Sequence, residues 1–246
     1  MALHALVDSP ARGGTASELH ELQGRIARMQ GTRLDTRALP TAPELSRLLP
    51  GGALQAGGSY SVLGSTSLAM SLMAGPSAAG TWCAAIGLPT FGVEAAAAAG
   101  IDLERLVLVP RPGRHWLTVT AAMADVAGVL VTAAPDRITP SDAARLAARL
   151  RQREAVLIVL GAWPQSDATL RVTESSWSGV GDGHGHLRNR RITVTSLLGQ
   201  GSTGRPRTAH LTLPLPRAGE RRAAAPRPST ALPDTDLPVL PMVVNR

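Results

Sequence analysis

The stretch SVLGSTSLAMSL, Ser61 to Leu72, runs from a short apolar segment through a single glycine into a helix-like run. In an α/β nucleotide-binding protein this strand-to-helix turn cradles phosphate. A working phosphate loop needs G-x-x-x-x-G-K-[ST]: the backbone N–H groups of a wide glycine-rich arc wrap the phosphates, the Lys meets their charge, and the hydroxyl binds magnesium. Here Gly64 is followed directly by Ser65, Thr66, Ser67 and Leu68. The second glycine, the Lys and several residues of arc are missing, so too little backbone remains to encircle a triphosphate. Positions Gly64, Ser65, Thr66 and Ser67 therefore read as a degenerate phosphate loop, and no cofactor is expected there.

Working outward, strand-like and helix-like runs alternate. Strand candidates are SYSVLG, TWCAAIG, RLVLVP, GVLVTA and AVLIVLG; between them lie TSLAMSLMAG, VEAAAAAG, HWLTVTAAMADVA and PSDAARLAARLRQR. Continuous apolar strands separated by helices indicate a mostly parallel sheet covered on both faces. After AVLIVLG the pattern changes to TLRVTESSW, RRITVTSLL and RTAHLTLPL, whose period of two predicts antiparallel strands at one edge. The strand tips carry a second message. A hydrolase of this class holds magnesium through an Asp at the end of an apolar strand, where GVLVTAA has Thr132 and Ala133. The water-activating Glu expected after CAAIG is replaced by Leu88 and Pro89. Three lesions agree on a domain without the residues for hydrolysis.

Composition sets further limits. The chain has 246 residues, 44% of them hydrophobic and only 2% aromatic, enough for one full core filled by Ala, Gly, Val and Leu. Net charge is +7, and all 25 basic residues are Arg. Arginine suits phosphate and carboxylate partners, whereas the absence of Lys excludes Schiff-base and Lys-nucleophile chemistry. The single Cys83 excludes internal disulfides, and its apolar surroundings predict a buried, inert thiol. With no basic, apolar leader at the start and no run of about 18 apolar residues, a cytoplasmic protein is expected.

Three segments are expected. Residues 1–35 hold an amphipathic helix with Leu19, Leu22, Ile26 and Met29 on one stripe, suited either to folding back on the core or to packing on a partner. A Pro- and Gly-rich connector joins it to the core of residues 36–216. Residues 217–246 read as a disordered Pro/Arg-rich tail ending in an apolar cluster of Leu237, Val239, Leu240, Met242 and Val243.

The segment WCAAIGLPTFGVEAAAAAGIDLERLVLV resembles the RecA core, whose second strand leads to a helix and a turn like Gly100-Ile101-Asp102-Leu103-Glu104-Arg105-Leu106. LPGGALQAGGSYSVLG is similar to the approach to the RecA phosphate loop. LRVTESSWSGVGDGHGHLRNRRITVTS is similar to the actinobacterial ImuA-prime family, RecA-like accessory factors of mutagenic translesion synthesis. The ordered set spans roughly residues 17–215. The resemblance implies a RecA-like fold and a non-catalytic role beside ImuB, a Y-family polymerase homologue, and through it an error-prone C-family polymerase. It further implies that the C-terminal segment engages ImuB, that the N-terminal helix serves self-association or a partner contact, and that the protein is nucleoid or replisome associated.

RecA holds single-stranded DNA on two loops, the second between its late strands. The matching place here is Ser178 to Arg191, SGVGDGHGHLRNRR, where four glycines suggest a mobile loop. His184, His186, Arg188, Arg190 and Arg191 are the candidate DNA contacts; guanidinium groups on a flexible backbone suit a phosphate chain. The alternative for the arginines is a charged strand entry paired with Asp182 or Glu174, and for the histidines a solvated loop, since His-x-His lacks a third zinc ligand. The bacterial SulA cell-division inhibitors share an ATP-less RecA-like fold and supply the competing functional reading.

Overall fold

The structure, a computed structural model, describes residues 37–216 apart from 136, 182–183 and 200–204; of 180–181 and 184–188 it describes the backbone alone. The expected segments 1–35 and 217–246 lie outside the described residues.

The parallel strands are the five expected from their apolar runs: β3 (Ser59–Leu63), β4 (Cys83–Ile86), β5 (Leu106–Val109), β6 (Val129–Ala133) and β7 (Val156–Leu160). Between them stand α2 (Thr66–Ala78), α3 (Val93–Ala99), α4 (Trp116–Met123) and α5 (Pro140–Arg153). Three long strands follow: β8 (Ala168–Gly181), β9 (His184–Leu198) and β10 (Arg207–Leu213). All eight form one sheet in the order β10-β9-β8-β3-β7-β6-β4-β5. This is the mostly parallel, helix-flanked α/β architecture expected from the alternation.

Because successive side chains of a strand face opposite sides, the sheet builds two cores. One takes Cys83, Ala85, Val129, Val131, Val156 and Ile158 against Leu68, Leu72 and Met73 of α2. The other takes Ala84, Ile86, Leu130, Leu157 and Val159 against Leu146 and Leu150 of α5. Each fully buried Leu contributes about 1.5–3 kcal/mol. α2 is buried on most of its circumference, so close approach matters: a methyl at Gly75 would meet the Pro40 carbonyl oxygen. The turn after α3 closes on Gly100 at φ +96°, with Ile101 N–H bonded back to Ala96 O at 3.0 Å. Asp102 then caps the next short turn through Glu104 N–H (3.0 Å), and its own N–H donates to Ser77 of α2 (2.9 Å).

Within the expected core of residues 36–216, the Pro- and Gly-rich stretch ahead of β3 packs into the body: β1 (Ala38–Leu39) pairs with β2 (Leu54–Gln55), and α1 (Pro43–Ser46) lies between them. Leu45, Leu48, Leu49 and Leu54 are fully buried, so the apolar residues among the prolines outweigh the loop-like composition. The late strands, expected to be antiparallel, are only partly so. β8 pairs antiparallel with β9 but parallel with β3, because the 161–167 crossover carries the chain over β3 to its far side. Ser61 of β3 anchors that crossover, its Oγ accepting from Trp163 N–H (3.1 Å) and Ser166 Oγ (2.8 Å).

Candidate functional site

β3 ends at Leu63, and the chain enters α2 through only two residues. Gly64 takes φ +87°, a left-handed conformation that glycine adopts without a Cβ penalty. Ser65 is extended, and its Oγ accepts the Leu68 N–H at 3.1 Å, filling one of the orphan donors of the helix start. The shortened arc read from the sequence is thus a tight, self-capped turn. A cation does reach it, from an unexpected direction: the Arg190 guanidinium on β9 donates to Ser65 Oγ at 3.1 Å.

The strand tips are filled by indole rather than carboxylate. Thr132, at the place of the magnesium-holding acid, is buried; its Oγ accepts the Trp116 Nε1–H at 2.7 Å and donates to Ala133 O at 3.1 Å. Trp116 in turn packs on Trp163, ring centroids 6.2 Å apart and planes tilted by 55°. Trp163 Nε1 is buried without a hydrogen-bond partner among the described atoms. Beside the other tip, Leu88 is partly exposed and Pro89 exposed.

The segment from Ser178 to Arg191, expected as a mobile loop, is mainly a β-hairpin arm. The β8–β9 ladder continues through Trp177↔Arg190 and Ser178↔Asn189 to Gly181↔His184, with irregularities at Val172/Glu174 and Ser178/Val180. Antiparallel pairing satisfies the backbone and overrides the glycine content; Gly179, at φ +116°, sits in the second irregularity. Since β8 runs parallel to β3 with Arg171 opposite Leu63, everything beyond Val172 projects past the carboxyl ends of the parallel strands.

The arm separates the candidate arginines. Arg190 lies on the side facing α2: Nε donates to Ser175 Oγ at 2.8 Å, and the guanidinium sits 5.5 Å from the Trp177 ring centroid, in cation–π range. Trp177 itself is 54% exposed, leaving ring surface open. Arg191 is exposed on the opposite side, its register partners being Ser176 and Thr212. The two therefore do not form one patch, because neighbouring strand residues alternate. His184, His186 and Arg188 have their backbone in β9, while their side chains lie outside the described residues. Glu174 pairs with neither described arginine; it accepts from Thr193 Oγ1 at 2.7 Å, and Thr193 also meets His210 Nδ1 at 3.1 Å. Among the described residues no group of three or more His, Cys, Asp or Glu is placed to hold a metal ion.

The proposed partner contacts Leu19, Leu22, Ile26, Met29, Leu237, Val239, Leu240, Met242 and Val243 all lie outside the described residues. Cys83 is buried, and desolvation pushes its thiol up to about 12. The basic stripe of α5 is a solvated face: Asp125 accepts from Arg149 Nε at 2.8 Å and Arg153 Nε at 3.1 Å, and these hydrogen bonds and charges hold its carboxyl below the usual range. Sequence reading missed the Arg190–Ser65 and Trp116–Thr132 contacts. Neither has a local signal, because each joins residues brought together by the sheet.

Residues 47–165 match the family described as the MT3502 N-terminal domain. Over 118 residues the chain is 34% identical to "Uncharacterized protein Rv3395c" of Mycobacterium tuberculosis, which takes in 48% of this chain. The chain thus spans about half, 52%, of that relative's length. Among solved structures, the RadB recombinase aligns with a TM-score of 0.48 at 14% identity, over 69% of this chain and 92% of its own. The family match stops before β8, so the arm falls outside it. No helix among the described residues is long and apolar enough to cross a membrane.

Proposed function

We propose that this chain is a non-catalytic RecA-like adaptor of DNA-damage-induced, error-prone translesion synthesis, binding ImuB through its C-terminal segment and single-stranded DNA through the β8–β9 arm. The observation that carries the non-catalytic reading is the self-satisfied phosphate position. Ser65 caps its own helix and holds Arg190, while Thr132 is engaged by Trp116 where an acid would bind magnesium. On the arm, a partly open Trp177 face beside a guanidinium fixed by two hydroxyls offers what a single strand needs, a ring to stack on and a cation for phosphate.

Fluorescence anisotropy of a labelled single-stranded oligonucleotide, titrated with the full chain at two salt concentrations with and without Mg-ATP, tests this reading. Salt-sensitive binding indifferent to ATP, weakened by Arg190→Ala, is the expected result. ATP-dependent binding would overturn the non-catalytic assignment, and no binding at low salt would remove DNA from it.

A further inference from the structure

The two ends of the sheet differ in how their charges are matched. At the amino ends of the strands, Arg105 pairs with Asp102 at 3.3 Å, and Arg149 and Arg153 share Asp125, while Arg151 between them is exposed without an ion pair among the described residues. Glu104, Glu154 and Asp167 stand at the same end, each just before a strand. At the carboxyl ends the basic residues are less matched. Arg111, Arg114 and His115 follow β5, and Arg137 follows β6; all are exposed. None of these three arginines has an ion pair among the described residues, and Arg114 Nε donates to His115 Nε2 at 3.1 Å. Of the described acids near this rim, Glu94 and Asp142 sit in the first turns of α3 and α5, where the helix dipole already holds a carboxylate, Asp142 is 4.0 Å from Arg145, and Glu174 at the base of the arm accepts from Thr193.

The arm rises from this same rim. Strand order places β8, β3, β7, β6, β4 and β5 side by side, so five gaps of about 4.8 Å put the Arg111–Arg114 turn roughly 24 Å from the arm's base. Between them lie the exposed Thr66 at the start of α2, the Arg137 turn and the exposed Thr90.

We propose that the carboxyl-end rim is a track for the backbone of single-stranded DNA, which runs from Trp177 and Arg190 on the arm past Arg137 to Arg111 and Arg114. Unpaired guanidinium groups at intervals along a line match a chain of regularly spaced phosphates, and Arg binds phosphate bidentately. The exposed Trp177 at one end selects nucleic acid over an acidic peptide, because it stacks on a base. The track rests on the reading of the arm as a DNA contact and extends it to residues of the body.

The test compares oligonucleotides of about 4 and about 16 nucleotides, the ends of the range covered by single-strand-binding folds. The full-length wild type, Arg111→Ala/Arg114→Ala and Arg190→Ala are each titrated over a salt series. The rim variant should keep wild-type affinity for the short strand, bind the long strand more weakly, and lower the salt slope for the long strand by about 1.4, two contacts at about 0.7 each. Both arginines are exposed and have no ion pair among the described residues, so its melting temperature should equal that of the wild type. Unchanged affinity and slope on the long strand, with Arg190→Ala still impaired, would overturn the track and leave the arm reading standing. Failure of the wild type to bind either strand would overturn both. An acidic peptide bound with the same dependence on Arg111 and Arg114, and no oligonucleotide bound, would assign the rim to a protein partner and overturn the proposal.

Discussion

Replacing Ser65 by Ala removes two hydrogen bonds at once, and the structure sets the size of the loss. Ser65 Oγ accepts from Leu68 N–H and from Arg190, each at 3.1 Å, and the residue is buried. Loss of an N-cap costs about 1 kcal/mol. The bond from the guanidinium is worth about 1.5 kcal/mol at the low end for a charged donor, and less here because Arg190 is partly exposed and keeps Ser175 and Trp177. A total of about 2 kcal/mol is expected, which lowers the melting temperature of a domain this size by about 4–8 °C. Ser65→Thr, which keeps the hydroxyl, should recover most of it. Urea unfolding of Ser65→Ala, Arg190→Gln and the double variant isolates the link between the arm and the α2 start. A coupling energy of about 1 kcal/mol is expected for residues in direct contact. A coupling within error of zero would refute the argument that Arg190 fastens the arm to the degenerate phosphate loop, and a loss under about 0.5 kcal/mol for Ser65→Ala would refute the cap itself.

The two tryptophans should respond differently to loss of their indole N–H. Trp116→Phe breaks a bond to Thr132, whereas Trp163→Phe removes a buried donor without a partner among the described residues, whose burial costs about 1–3 kcal/mol. Denaturant unfolding should therefore show the smaller destabilisation for Trp163→Phe, and the reverse order would mean that ring volume outweighs hydrogen bonding at this contact. Cys83 predicts a pH dependence. Its thiol is raised by burial from 9.0 to about 12, so above pH 9 the unfolded chain releases a proton that the folded chain retains. Stability should fall between these two values relative to Cys83→Ala, and native protein at pH 8 should react with iodoacetamide only as fast as it opens. Rapid alkylation under native conditions would contradict the buried placement.

Much of the fold was legible along the chain because its determinants are local. Short, β-branched apolar runs such as AVLIVL, set between helical runs, fit strands buried on both faces, and PSDAARLAARLRQR shows its apolar stripe and its charged face in fourteen residues. The missing Lys and acids were equally plain, since a phosphate loop is defined by contiguous backbone and fixed residue types. The arm was misread because glycine content reports backbone freedom, and only the pairing of Trp177 with Arg190 and Gly181 with His184 shows that freedom restrained. The burial of the leucines ahead of β3 has no local signal for a related reason: they find their core across the sheet.

What the sequence determined by itself is the α/β alternation, the basic and lysine-free character, and the loss of phosphate-loop chemistry at Gly64, all properties of residue type and spacing. Only the tertiary structure decided that Arg190 reaches Ser65 across 125 positions, that Arg190 and Arg191 point apart, and that Arg111, Arg114 and Arg137 gather at the carboxyl ends of the parallel strands. Those outcomes depend on strand order and register, which bring together residues whose separation along the chain carries no trace of their contact.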